Sequence, residues 1–135
     1  MSITLSHQDK ITLHTAAHGA VSLMVAADAT GRPHRAATDG SIALGSATGL
    51  VGHVLAEKIK DINLDGKSVA ELADHVLPAL TAAMSLLKQQ APAEAANFRS
   101  TVIVAIEAAA RTHQAQPRPT VTDMIRKITA ALDAA

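Results

Sequence analysis

Apolar positions along this chain recur at the three- and four-residue spacing of a helix face, and no segment alternates as a strand would. Leu13, Ala16, Ala17, Ala20, Leu23, Met24 and Ala27 share one broad side, which predicts a helix from about His7 to Ala27. Ser6 reads as its N-cap and Asp9 as the acidic partner of a capping box. The periodicity then fails. Gly31, Pro33 and the turn signature Thr38-Asp39-Gly40 predict a long loop from Asp28 to Gly40. A second helix is predicted from Ser41 to Lys60, with Leu44, Ala47, Val51, Leu55 and Lys58 on one face. Gly45, Gly49 and Gly52, with Ala56, form a separate stripe of small residues. Each helical glycine costs about 1 kcal/mol relative to alanine. Close approach of another helix, or of a second subunit, is the expected compensation.

Downstream, 61–66 reads as a turn and Ser68 with Glu71 as a second capping box. Pro78 lacks an N–H, so a short helix over 68–75 followed by a longer one to about Gln90 is expected, with Val76, Leu80, Ala83 and Leu87 as its stripe. Pro92 opens a helix to His113 that is apolar on nearly all sides and is therefore expected to be central. After a proline-rich linker over 114–119, Thr120 and Asp123 are expected to cap a last helix carrying Val121, Met124, Ile125, Ile128 and Leu132. The pattern predicts one all-α domain over residues 1–135, a compact bundle of five to seven helices.

Composition adds three constraints. A chain of 135 residues holds one core. With one Phe, no Tyr and no Trp, that core is alanine-rich and aliphatic. Such packing buries modest area per contact, so self-association as a homodimer is expected. The glycine stripe and the 92–113 helix are its candidate faces. Lys and Arg number 12, as do Asp and Glu. That balance, with no aromatic stacking platform, argues against nucleic acid and anionic membranes as partners. The absence of cysteine excludes disulfides, thiolate metal sites and cysteine nucleophiles. No uncharged apolar run reaches the length of about 18 residues that a membrane span needs. The start has no basic-then-apolar signal pattern. A cytoplasmic location is the expectation.

Candidate chemistry is thin. His7, His14 and His18 fall within about 40° of one another on a helix, and His14 and His18 are one turn apart, a spacing that can chelate a divalent metal. His53 and Glu57 repeat that spacing, so an antiparallel pairing of the two helices would bring four ligands together. Against this, His7 lies roughly 10 Å along the axis from His14. The stripe also sits opposite the main apolar face. A titratable surface stripe without high-affinity metal binding is therefore expected. Asp61, Asn63, Asp65 and Gly66 match the opening of a calcium loop, but Ser68 and Leu72 break the match, leaving an ordinary turn. Arg32, His34 and Arg35 form a small basic cluster able to meet an anion and are the candidate ligand-binding residues. Arg126 and Lys127 follow the proline linker without the basic surplus of a DNA-reading helix. Asp74 and His75 are adjacent and point to different faces. No nucleophile motif or acid pair stands out, so the chain reads as non-catalytic and without a cofactor.

The C-terminal third resembles the small all-α bacterial proteins related to the tellurite-resistance protein TerB. The residues are Asn97-Phe98-Arg99, Val102, Ala105 and 108–110, then Thr122, Ile125, Ile128 and Ala131-Leu132. The resemblance implies a compact helical fold and a stress-related role. It does not extend to that family's acidic metal-binding turn, because 112–119 contains no acid. The expected function is thus a non-catalytic interaction or structural homo-oligomer. The alternative is a metal- or small-ligand-binding helical bundle. Convergence of His14, His18 and His53 would favour the alternative.

Overall fold

Each helix of the chain begins or ends at a residue whose chemistry explains the boundary, though not always the residue that local pattern picks out. The computed structural model describes residues 5–27, 33–57, 59, 68–110 and 119–135, the side chains of residues 33–36 excepted. Among the described residues there are six helices and no strand: α1 (His7–Ala27), α2 (Pro33–Gly45), α3 (Gly49–Ala56), α4 (Val69–Gln90), α5 (Pro92–Ala110) and α6 (Pro119–Asp133). This is the all-α bundle that the periodicity predicts.

The α1 capping box forms in both directions. Asp9 N–H donates to Ser6 Oγ at 3.0 Å and Ser6 N–H to Asp9 Oδ2 at 3.2 Å. At α4, Ser68 Oγ accepts from Glu71 N–H at 3.2 Å. These local signals are strong because both partners lie within one turn.

Four expectations are corrected. The predicted 28–40 loop contains the start of α2, with Pro33 in the first turn, where its missing N–H is harmless. Gly40, which reads as a turn, lies inside α2 and touches α1; a Cβ there would sit 2.7 Å from Val21 Cγ1. Second, the predicted 41–60 helix is two helices. Gly49 has φ +71°, a left-handed value that favours glycine, and α3 starts there. Third, α4 runs unbroken through Pro78. Leu72, Val76, Leu80, Ala83 and Leu87 are all buried and stay in phase across the proline, while Pro78 itself is exposed. Burial of one continuous stripe outweighs one lost backbone hydrogen bond on the water side. Fourth, Thr120 lies inside α6, and its hydroxyl donates to the Ala27 carbonyl at 3.2 Å, serving the end of α1 instead.

Helices α1 and α5 each touch all five other helices. Phe98 on α5 and Leu13 and Leu23 on α1 are completely buried, with Leu80, Ile106, Ile128 and Leu132 around them. The central place expected for the 92–113 segment is thus shared with α1. That sharing decides where the α1 histidines go. Helix α6 is tied across α5 by a two-pronged pair, Arg99 Nε to Asp133 Oδ1 at 2.8 Å and Arg99 Nη2 to Oδ2 at 3.2 Å.

Candidate functional site between α1 and α2

A helix that touches all five others splits its histidine stripe: His7 in the first turn is exposed, whereas His14 is only 2 % exposed. Its Nε2 lies 2.6 Å from the Val54 carbonyl. A carbonyl only accepts, so Nε2 carries the proton. Val54 lies in the last turn of α3, where carbonyls lack helical partners, and the same oxygen accepts from Glu57 N–H at 3.1 Å. His14 is therefore an anchor for the end of α3 rather than part of a surface stripe.

The other end of α3 is also held from outside. Thr48, its N-cap residue, makes no side-chain cap. Instead Glu94 on α5 accepts from Val51 N–H at 3.2 Å and from Asn97 Nδ2 at 3.0 Å, and Asn97 Nδ2 reaches the Thr48 carbonyl at 2.8 Å. Burial pushes the Glu94 carboxyl up. The hydrogen bonds from Asn97 and from the Val51 and Leu50 amides outweigh burial and hold it below its ordinary value. The short α3 is thus clamped between α1 and α5.

His18 stacks on His14 with ring centroids 5.5 Å apart and planes 25° off parallel. It is half-buried, and neither ring nitrogen has a hydrogen-bond partner among the described residues. Burial, and then the neighbouring His14, lower its pKa, which leaves it neutral at neutral pH.

The four candidate metal ligands form two separate pairs. His14 and His18 stack, while exposed His53 lies 3.7 Å from Glu57, whose carboxylate also pairs with Lys10 at 3.2 Å. Among the described residues no three His, Asp or Glu side chains converge as metal ligands. Of the basic cluster, Arg32 lies outside the described residues. His34 and Arg35 belong to the first turns of α2, and their side chains lie outside the description. The calcium-loop match over 61–66 also lies outside it. Asp74 and His75 are exposed. Arg126 and Lys127 are exposed and pair with Asp123 at 3.9 and 3.2 Å.

Beside His18 the structure opens a cleft that sequence pattern does not reveal. Gly40 lets α2 press onto Val21 of α1. Small residues on either side of that contact leave a hollow of about 500 Å³, lined by His18, Val21, Ser22, Val25 and Ala26 of α1 and by Ala37 and Ser41 of α2. Among the described residues no Lys, Arg, Asp or Glu is in that lining. The Ser22 hydroxyl donates to the His18 carbonyl at 3.0 Å, so it does not form a nucleophile–base pair with the His18 ring. A shallower depression shares Ala37 and Ser41 and extends to Ile42, which is 62 % exposed.

Volume, apolar lining and a few polar groups are the features of a small-molecule site. His18, Val21 and Val25 share one face at i, i+3, i+7 spacing, but the sequence pattern groups His18 with His7 and His14 and picks out neither valine; that Gly40 would meet this face was not legible either. The glycines of the predicted stripe do other work. Gly45 meets nothing within 4 Å, Gly49 supplies the positive φ, and Gly52 is crowded by the Ala47 carbonyl of its own turn. Asn97, Phe98 and Arg99 clamp α3, fill the core and tie α6 respectively. No protein-family model, curated protein or solved structure matches the chain.

Proposed function

We propose that this protein is a non-catalytic helical bundle that holds a small, largely apolar molecule in the α1–α2 cleft. The observation that carries the reading is the cleft itself: about 500 Å³, apolar along Val21, Val25, Ala26 and Ala37, with His18, Ser22 and Ser41 as the polar residues of its described lining. That volume lies within the range of about 300–1,000 Å³ common to ligand pockets. Among the described residues no third His, Asp or Glu side chain joins His14 and His18 to make up a metal ligand set, which favours the small-molecule half of the alternative. The test is titration with Nile red, an uncharged dye that brightens in apolar surroundings. One-to-one binding is expected, and its loss in the double variant Ala26→Leu/Ala37→Leu. No brightening, or equal brightening in a folded double variant, would overturn the reading.

Self-association is a second reading, favoured by one observation. Ile42 is highly exposed and borders the cleft through Ala37 and Ser41. A second copy covering Ile42 would double the 13.9 kDa chain mass in native mass spectrometry.

A further inference from the structure

A half-buried imidazole with two idle nitrogens is an unfilled hydrogen-bonding position. Neutral imidazole offers one donor and one acceptor. In His18 neither is taken by a described protein group, whereas the ring beside it, His14, is hydrogen-bonded. His18 lines one side of a hollow to whose α2 wall Ala37 and Ser41, a methyl group and a hydroxyl, contribute among the described residues. The described lining has no lysine or arginine to meet an anion and no carboxylate to meet a cation.

Building on the cleft reading, we infer that the bound molecule is an uncharged amphiphile. Its hydroxyl or carbonyl end hydrogen-bonds the His18 ring, and its hydrocarbon body lies along Val21, Val25 and Ala26. A charged head set against the described lining would lose water and gain no counter-charge from it, which disfavours it. A molecule with no polar end would leave the His18 nitrogens unsatisfied once water is displaced, a cost comparable to a lost hydrogen bond. The head group that fits is therefore polar and neutral.

The experiment compares octanol, octanoate and octylamine by heteronuclear NMR titration of the full chain, following the amides of Val21, Ser22 and Ala37 and the His18 ring protons. Octanol is expected to shift these resonances and to bind about tenfold more tightly than either charged analogue. In His18→Phe the octanol affinity is expected to fall about three- to tenfold, the worth of one hydrogen bond. His18→Gln, which keeps a donor and an acceptor, is expected to recover most of the loss and guards against a merely structural effect of losing the ring. Equal affinity for all three probes at the cleft, or tighter binding of octanoate or octylamine, overturns this inference while leaving the cleft reading in place. Undiminished octanol binding in His18→Phe overturns it too. Failure of all three probes, with failure of Nile red, overturns both.

Discussion

Single residues in this molecule act mostly by finishing something that belongs to another helix. His14 completes the end of α3, Glu94 and Asn97 complete its start, and Thr120 completes the end of α1. A helix as short as α3 does not hold its shape alone in water, so these partners set its stability. Glu94 gives the pH dependence its sign. Its carboxyl is held below the ordinary value of 4.5 in the folded chain. As pH falls, the unfolded chain therefore takes up the proton first. The clamp's contribution is complete above that ordinary value and is lost as pH drops through the lower folded value. Asp9 is lowered in the same direction, through its hydrogen bond from Gln90 foremost and those involving Ser6, with burial opposing. A variant is needed to separate the two. Hydrogen exchange, corrected for intrinsic rate, is expected to show Leu50 and Val51 losing protection in mild acid before the core amides of α5 do. In Glu94→Gln their protection is expected to be weaker at neutral pH and nearly independent of pH. Simultaneous loss with the core in the wild type would show that α3 is not a separately clamped unit.

At the scale of elements, what the sequence reveals is what lies within one turn of itself. The Ser6–Asp9 and Ser68–Glu71 boxes, and the start of α5 at Pro92, are local and were readable. Helix α2 was not, because a glycine-and-proline signature, Gly31 and Pro33, stands at its start and the contacts of the helix lie on α1 and α5. Pro78 misleads for the same reason: the stripe that keeps α4 whole gains its energy from other helices. Glycines make the point testable. Periodicity groups Gly45 with Gly49 and Gly52, whereas contact groups Gly40 with Gly19, whose Cβ position is blocked by Val76 of α4. Gly40→Ala drives a methyl into Val21, a side chain stiff at χ1, and is expected to lower stability by about 1–3 kcal/mol. Gly45→Ala meets open space and is expected to raise stability by about 0.5–1 kcal/mol, through the lower entropy of the unfolded chain. Urea unfolding followed at 222 nm reads both. A neutral Gly40→Ala would mean that α1 and α2 cross with more room than the structure gives them.

Across the whole molecule, the candidate site is a place where packing between two described helices is incomplete. Among the described residues every helix contributes fully buried aliphatic side chains to one core except α2, where Leu44 at 2 % is the main contribution. Between α2 and α1 the side chains shrink to Ala26, Ala37 and Ser41, and the hollow remains. Of the site's described lining only His18 stands out in the sequence, and there as a candidate metal ligand. The hollow does not, since it depends on which helix lies opposite. A core that could be closed with larger side chains and is left open gives up stability, and in natural proteins that trade is tied to function. Filling it should therefore stabilise the protein and abolish binding together. Ala37→Leu adds three carbons to a half-buried position on the cleft wall. At about 0.8 kcal/mol for each methylene fully buried, and with part of the new side chain still facing water, the expected gain is about 1 kcal/mol. The midpoint of urea unfolding should rise with an unchanged slope, while Nile red affinity falls at least about tenfold, since the dye must now displace a packed side chain. A variant that loses stability would show that the cleft walls stand too close for a leucine. A variant that gains stability and binds as before would place the dye elsewhere on the molecule, and the functional reading of the cleft would fail with it.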